Sequence, residues 1–367
     1  MPGRDAGVAC DMKSVLFITG AALGHIGRSL LVARALESRM AATIHFACLA
    51  GGQHYENLVS EAGFAVTLLP GFTLRDQGAT ITEALETLIA EFDPSLIYCD
   101  INPLPQLLLV RFPVVPRVFL VNAYETRLGT DTTVQDLMWR EYGEQWNRLR
   151  EQRGLPPVDD PRSFFDADLV LLPDPEAVVG VPAERLPPGY RLTGPCIWDP
   201  PASLPPEIEE ARDLLLLSMG STGINNLPLE AVRDIGRQAG ASRIIRIGSF
   251  DPGYGSEVRQ YDWLPGSRVV ERCRLVLTQG GAGSTYQALR AGVPVVCTPA
   301  HHNHVALARR LQQAGAGMLL FHETWQEQLQ DTPIDILALE RGARLLSSQM
   351  QVDGAANAAD AMAGLLA

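Results

Sequence analysis

A run from Arg274 to Phe321, RLVLTQGGAGSTYQALRAGVPVVCTPAHHNHVALARRLQQAGAGMLLF, leaves few folds open to this chain. The apolar segment Leu275-Val276-Leu277 meets a glycine-rich loop, Gln279-Gly280-Gly281-Ala282-Gly283-Ser284. A helical stretch to Ala291 follows, then Gly292, a second apolar run from Val293 to Cys297, a His-rich loop, another helix and Gly315-Ala316-Gly317. Strand, glycine loop, helix, strand, loop, helix is half of a doubly wound α/β domain. The glycine loop joins a strand end to a helix start, where backbone N–H groups and the helix dipole favour an anion. Tight turns use glycine for purely structural reasons too, and the loop alone does not separate the two readings. Its context favours the anion. Ser284 and Thr285 stand at the helix start and can cap it or donate to phosphate, and Pro299 opens a second loop at the same sheet edge, where ligands of such sheets bind.

The same unit occurs earlier. Lys13 to Thr19 (KSVLFIT) is a nearly continuous apolar strand leading into Gly20-Ala21-Ala22-Leu23-Gly24-His25-Ile26-Gly27-Arg28 and an amphipathic helix to about Arg39. The spacing predicts further strands over Thr43 to Leu49, Val66 to Leu69, Ser95 to Cys99, Pro116 to Val121 and Leu169 to Leu172. It predicts helices over Tyr55 to Ala62, Ile81 to Phe92 and Asp136 to Arg153. From Pro187 to Pro206 the density of proline fits neither a helix nor a central strand, so this stretch reads as the interdomain connection. Beyond it come a strand over Leu214 to Leu217, a third Gly/Ser loop (Ser218 to Gly223), a helix over Leu229 to Ala239, a strand over Arg243 to Ile247 and a short helix over Arg268 to Cys273. An Ala-rich helical tail from Ile334 to Leu366 breaks around Asp353-Gly354. The expected division is a disordered leader (1–12), an N-terminal domain (13–198), a linker (199–211), a C-terminal domain (212–345) and a helical tail (346–367).

The chain has 367 residues, enough for two domains with well-filled cores. A net charge of −12 argues against non-specific nucleic-acid binding or an anionic membrane surface, but not against a local phosphate pocket. Six scattered cysteines, with no CxxC pair, fit a reduced cytoplasmic protein better than a disulfide framework. Residues 1–11 lack the apolar core of a signal peptide, and Met12 is an alternative start. No apolar run is long enough to span a bilayer.

Gln279 to Gly317 resembles the donor-binding signature of GT-B glycosyltransferases of family-1 type, the UDP-glycosyltransferases and bacterial natural-product glycosyltransferases. The usual pattern there is His-Gly-Gly-x-Gly-Ser/Thr, Glu-Ala-Leu, Gly-Val-Pro, Pro-x-x-x-Asp-Gln, Asn-Ala and Gly-x-Gly. This chain keeps Gly280, Gly281, Gly283, Ser284, Ala288-Leu289, Gly292-Val293-Pro294, Pro299 and Gly315-Ala316-Gly317. Trp263-Leu264-Pro265 matches the Trp-x-Pro element that stacks on the base, Leu217 to Gly220 the strand-then-Gly-Ser element, and Gly194-Pro195 the Gly-Pro before the linker. Three positions depart. Gln279 replaces a His against the diphosphate, Gln287 replaces the Glu that accepts the ribose hydroxyls, and Asn303-His304 replaces the Asp-Gln that contacts the donor sugar. Gln279 can donate a hydrogen bond but adds no charge.

The resemblance implies two doubly wound Rossmann-like domains facing across a cleft, acceptor on the N-terminal one and nucleotide-sugar on the other, with the last helix crossing back. It also implies a base, a His in a Gly-His element after the first strand, which here is His25; its partner Asp matches Asp100. Read from the residues alone, His25 is either a histidine packed at a helix start or a general base titrating near working pH. Asp100 is either a cap before Pro103 or the orienting carboxylate. Arg28 either lies on the surface or faces the cleft. Trp263 could equally be an interdomain core aromatic. Asn122 to Arg127 (NAYETR) lies at a strand end beside the acceptor side by position only. His301-His302-Asn303-His304 matches no zinc spacing, and pocket contacts are the stronger reading.

The expected activity is therefore an inverting sugar transfer from a nucleotide-diphosphate sugar to a small-molecule acceptor, in natural-product biosynthesis, with no metal or other cofactor. His25, oriented by Asp100, deprotonates the acceptor; the 280–284 amides with Ser221 and Ser284 hold the leaving diphosphate. Thr222 and Thr285 are additional candidates. A monomer or homodimer, without nucleic acid or membrane insertion, is expected. Two rivals remain at this point: a catalytically silent relative that binds or activates a partner enzyme, favoured by the altered Gln279, Gln287 and His304, and a different reaction on the same fold, such as epimerisation or non-glycosidic coupling.

Overall fold

Strand β1 (Lys13–Thr19) shows why this chain builds layered α/β domains. Val15, Leu16, Phe17 and Ile18 are all fully buried, so both strand faces are covered, as in a central parallel strand. Val15 and Phe17 join one apolar cluster with the helix α1 (Leu23–Glu37), and Leu16 and Ile18 join another on the opposite face. The computed structural model describes residues 12–51, 54–70, 79–100, 105–126, 128, 143–159, 165–220 and 227–367.

After α1 come β2 (Ala42–Leu49), α2 (Asn57–Glu61), β3 (Ala65–Leu69), α3 (Ala79–Phe92), β4 (Leu96–Asp100), β5 (Arg117–Leu120), a helical segment over 143–152 (α4), β6 (Leu169–Leu172), α5 (Glu176–Val179) and β7 (Tyr190–Leu192). These strands form one parallel sheet in the order β3-β2-β1-β4-β5-β6-β7. The second half adds α6 (Pro206–Glu209), β8 (Leu214–Ser218), α7 (Leu229–Ala239), β9 (Arg243–Ile247), β10 (Val258–Tyr261), α8 (Gly266–Val270), β11 (Cys273–Thr278), α9 (Ala282–Arg290), β12 (Val295–Cys297), α10 (His302–Gln313) and β13 (Gly317–Leu319). Its sheet is also parallel, ordered β10-β9-β8-β11-β12-β13. Strand order reverses direction at β1/β4 and at β8/β11, and in open α/β sheets the crevice at such a switch is where ligands bind.

Three helices close the chain: α11 (Trp325–Asp331), α12 (Ile336–Ser347) and α13 (Gly354–Leu366). The last crosses back. Its Ala355, Ala358, Ala359, Met362 and Leu366 complete the α1 side of the first sheet's core, beside Phe17 and Leu30. Gly354 permits this crossing, because a Cβ there would lie 2.1 Å from the carbonyl oxygen of Gly194 and 2.6 Å from that of Pro195. Gly354→Ala is therefore expected to cost about 1–3 kcal/mol by overpacking against backbone, read as a lower midpoint in urea; an unchanged midpoint would show that α13 can shift freely.

Several sequence expectations need correction. The Pro187–Pro206 stretch is not irregular throughout: Tyr190–Leu192 pairs with β6 as an edge strand, a place where nearby proline is tolerated. Within the 199–211 linker, Pro206–Glu209 is helical with Pro206 in its first turn. The helix read over Arg268 to Cys273 lies instead at Gly266–Val270, and Cys273 begins β11. The helix read over Tyr55 to Ala62 is one short turn, Asn57–Glu61. The leader before Met12, the loops around Pro103 and Asp131, the first part of the Asp136 helix, and Ser221 with Thr222 lie outside the described residues. Among those described, no helix is long and apolar enough to cross a membrane.

Candidate active site

The first switch point gathers a buried ionic cluster. β1 ends at Thr19, the chain turns through Gly20, and α1 brings His25 and Arg28 back over the strand ends, one turn apart on one helix face. β4 delivers Asp100, fully buried. His25 Nδ1 lies 2.7 Å from Asp100 Oδ1. An ionised carboxylate only accepts, so it sets the imidazole proton on Nδ1 and leaves Nε2 its lone pair. The ring lies against Gly20, where a Cβ would sit 3.0 Å from His25 Cδ2.

Arg28 is neither a surface arginine nor a free cleft cation. Its guanidinium is buried and forked onto Asp100, Nε donating to Oδ2 at 2.6 Å and Nη2 to Oδ1. Ser29 Oγ adds a donor to Oδ2 at 3.1 Å. Burial pushes the Asp100 carboxyl up, but Arg28 and then His25 outweigh it and hold it below the ordinary carboxylate range. Burial likewise opposes the charge on Arg28, and the adjacent Asp100 more than restores it.

The polar chain continues along the strand ends. Arg28 Nη1 donates to Asn122 Oδ1 at 2.9 Å, at the end of β5. Asn122 Nδ2 donates to Asp174 Oδ1 at 2.6 Å, just past β6. Asp174 Oδ2 accepts from the Ala123 backbone at 2.6 Å, and Oδ1 also accepts from the hydroxyl of Tyr286 on α9 of the second sheet. A second bond joins the halves. Glu125, in the short 3₁₀ turn Ala123–Glu125, accepts from Asn303 Nδ2 at 3.0 Å. Burial raises the Glu125 carboxyl above its ordinary range, with the Asn303 bond opposing. The sequence pointed to Asn122 and Glu125 only through the strand-end segment Asn122 to Arg127, and to Asp174 and Tyr286 not at all. A signal existed for two of them: with Asp100, Asn122 and Asp174 are the polar residues that terminate consecutive parallel strands, the positions from which such sheets present groups to a cleft.

The second switch point holds the glycine loop. Gly280 has φ +86°, a left-handed backbone, and a Cβ on it would lie 3.1 Å from the His304 carbonyl oxygen. Gly281 is the N-cap of α9 and brings no side-chain cap, so the first-turn N–H groups have no acceptor from it. Gly283 has nothing within 4 Å of its Cβ position. Ser284 Oγ lies 2.7 Å from Ser218 Oγ at the end of β8. Thr285 is buried and its hydroxyl has no hydrogen-bond partner among the described residues. Gln279 is also buried, at the strand end.

His304 caps this floor from α10. Its Nδ1 is buried without a partner among the described residues, and burial, then His301 and His302, lower its value to about 4. It is a neutral imidazole at neutral pH. Among the described residues no group of three His, Cys, Asp or Glu side chains is placed to hold a metal ion. Gln287 turns to the interdomain connection: Nε2 donates to Asp199 Oδ1 at 3.0 Å and to the Trp198 carbonyl at 3.2 Å. Trp263 is 38% exposed, so it is not an ordinary core aromatic. It lies between Tyr55 of the first half, nearly parallel at 6.2 Å, and Trp198, edge-on at 6.1 Å.

Two parallel Rossmann-like sheets, each with a switch in strand order and joined by the Tyr286–Asp174 and Asn303–Glu125 bonds, make up a GT-B fold. Comparison with known proteins agrees. Residues 253–362 match the erythromycin biosynthesis protein CIII-like C-terminal domain family. A PGL/p-HBAD biosynthesis glycosyltransferase of Mycobacterium tuberculosis is 27% identical over 380 residues, covering 87% of this chain and 86% of its own. The calicheamicin glycosyltransferase CalG4 superposes with a TM-score of 0.69 at 22% identity, over 97% of this chain and 98% of its own. The spinosyn rhamnosyltransferase SpnG, complexed with spinosyn aglycone, superposes with a TM-score of 0.65 at 18% identity, over 97% and 100%. The fold is thus that of the GT-B glycosyltransferases, and the chain is similar over most of its length to glycosyltransferases of natural-product and glycolipid biosynthesis.

Proposed function

We infer that this glycosyltransferase moves a sugar from a nucleoside-diphosphate sugar to a hydroxyl of a small acceptor, with inversion and without a metal. The pair His25 Nδ1–Asp100 Oδ1 at 2.7 Å, set at the first sheet's switch point, carries this reading. Nε2 takes the acceptor proton as the acceptor oxygen bonds to the anomeric carbon. The bond from that carbon to the diphosphate oxygen breaks on the opposite face. In this reading the departing diphosphate gains negative charge, and the uncapped first-turn N–H groups of α9, with Ser284 beside them, support its stabilisation there. Asp100 stays ionised and stabilises the imidazolium formed, as an orienting carboxylate does.

The relatives' names guide the acceptor class: one works in PGL/p-HBAD biosynthesis and one structure holds spinosyn aglycone. A small, largely apolar molecule bearing a hydroxyl fits both. The five described cysteines are all free, which favours a reducing compartment such as the cytoplasm.

Thermal shift with UDP, dTDP and GDP tests the donor side. At a hundred times Kd the right nucleotide is expected to stabilise the fold by about 2.7 kcal/mol. Stabilisation by none of the three would count strongly against a nucleotide-sugar donor. The anomeric proton coupling of the product tests inversion, and a retained configuration would rule out single displacement.

A further inference from the structure

The buried polar chain crosses from one half of the molecule to the other, and its far end lies on α9, the helix that begins the glycine loop. We propose that Tyr286 and Asp174 are positioning residues that hold the His25–Asp100–Arg28 cluster in register with the nucleotide-binding half. This rests on His25 being the base.

The argument follows the directions of the hydrogen bonds. Asn122 has one carbonyl and one amide end, and the two are not interchangeable here. Its Oδ1 accepts from Arg28 Nη1 at 2.9 Å while its Nδ2 donates to Asp174 Oδ1 at 2.6 Å. That orientation requires Asp174 to accept. A protonated Asp174 donating its hydroxyl would favour the flipped amide, with NH₂ against a guanidinium that has only donors. Burial pushes the Asp174 carboxyl above the ordinary range, and Tyr286, Ala123 and Asn122 oppose this with three donated bonds. Tyr286 supplies the one of these that comes from the other half. Its ring is buried, so no water replaces its hydroxyl without rearrangement. Removing the hydroxyl loosens Asn122, then Arg28, then the fork on Asp100 that faces His25. Tyr286 lies on α9 of the second half and Asp174 just past β6 of the first, so their bond exists only while the halves are docked.

The test uses full-length protein labelled with ¹³C at histidine. The His25 Cε1–H resonance is identified as the one missing in His25→Ala. Tyr286→Phe, which keeps the ring and the packing, is expected to shift or broaden that resonance, and Asp174→Asn to do the same from the other side. Gln349→Ala removes a different contact between the halves, the 3.1 Å bond from the Ala177 backbone N–H to Gln349 Oε1, and is expected to leave it in place. Thermal shift with UDP and dTDP is expected to match wild type in Tyr286→Phe, because the nucleotide floor is untouched. A His25 resonance unmoved by Tyr286→Phe and Asp174→Asn overturns the proposal. So does equal movement in Gln349→Ala, which would mean general loosening. Neither outcome depends on turnover: if His25→Ala stays active the base assignment falls, and the resonance still reports whether the chain positions the ring.

Discussion

Replacing His25 with alanine is expected to lower turnover by about 10²–10⁴, the range a positioned general base supplies, while nucleoside-diphosphate binding stays unchanged. The reason is geometric separation. His25 belongs to the α1 turn over the first sheet, whereas the glycine loop, Ser284 and Thr285 belong to the second. The substitution removes an acceptor for one proton and no donor to the diphosphate. Steady-state rates beside thermal shifts with nucleotide measure the two halves separately. Turnover within a few-fold of wild type would remove His25 from the mechanism.

Substituting Arg28→Leu attacks the same cluster through its charge. Asp100 is fully buried and loses its forked partner, so the expected destabilisation is about 3–5 kcal/mol, that of breaking a buried ion pair by removing one member. The pH dependence gives the prediction its signature. In wild type the folded carboxyl lies below its unfolded value, so its contribution is present above about pH 4 and is lost as pH falls through the lowered folded value. Without Arg28, burial is opposed only by His25 and the Ser29 hydroxyl, the folded value rises, and stability is lost as pH climbs. The gap between wild type and variant should therefore be small in acid and widen towards neutrality in urea denaturation. A gap constant with pH would show that Arg28 acts by packing alone.

The parts of this fold that depend on local pattern were legible. Apolar runs ending in glycine loops marked β1, β8 and β11, and the short turn residues and prolines between them marked the α/β alternation. What escaped were β7, β10 and β13, each a sheet edge. An edge strand is paired on one side, so it needs no continuous apolar run; Tyr190–Leu192 is partly exposed throughout, and Val258–Tyr261 carries Arg259 and Gln260. In the site, His25 and Asp100 could be named because their motif and strand-end positions are local. The role of Arg28 could not be decided, since its environment comes from Asp100 and Asn122, 72 and 94 residues away. Gln287 shows the same limit. Its position suggested a weakened ribose contact, but the amide is committed to Asp199 and Trp198, a pairing that only the folded connection creates.

The return of α13 to the first sheet sets the order in which this protein can be completed. The helix that covers Phe17 and Leu30 is translated after the entire second sheet. Chains fold largely from the amino end as they emerge, so the first domain waits with the α1 side of its core incompletely covered until residues 354–366 arrive. Severing the two halves within the connection would leave that side incompletely covered in one piece and an orphan amphipathic helix in the other. The domains are two as layers of sheet and helix, but one as a unit of folding.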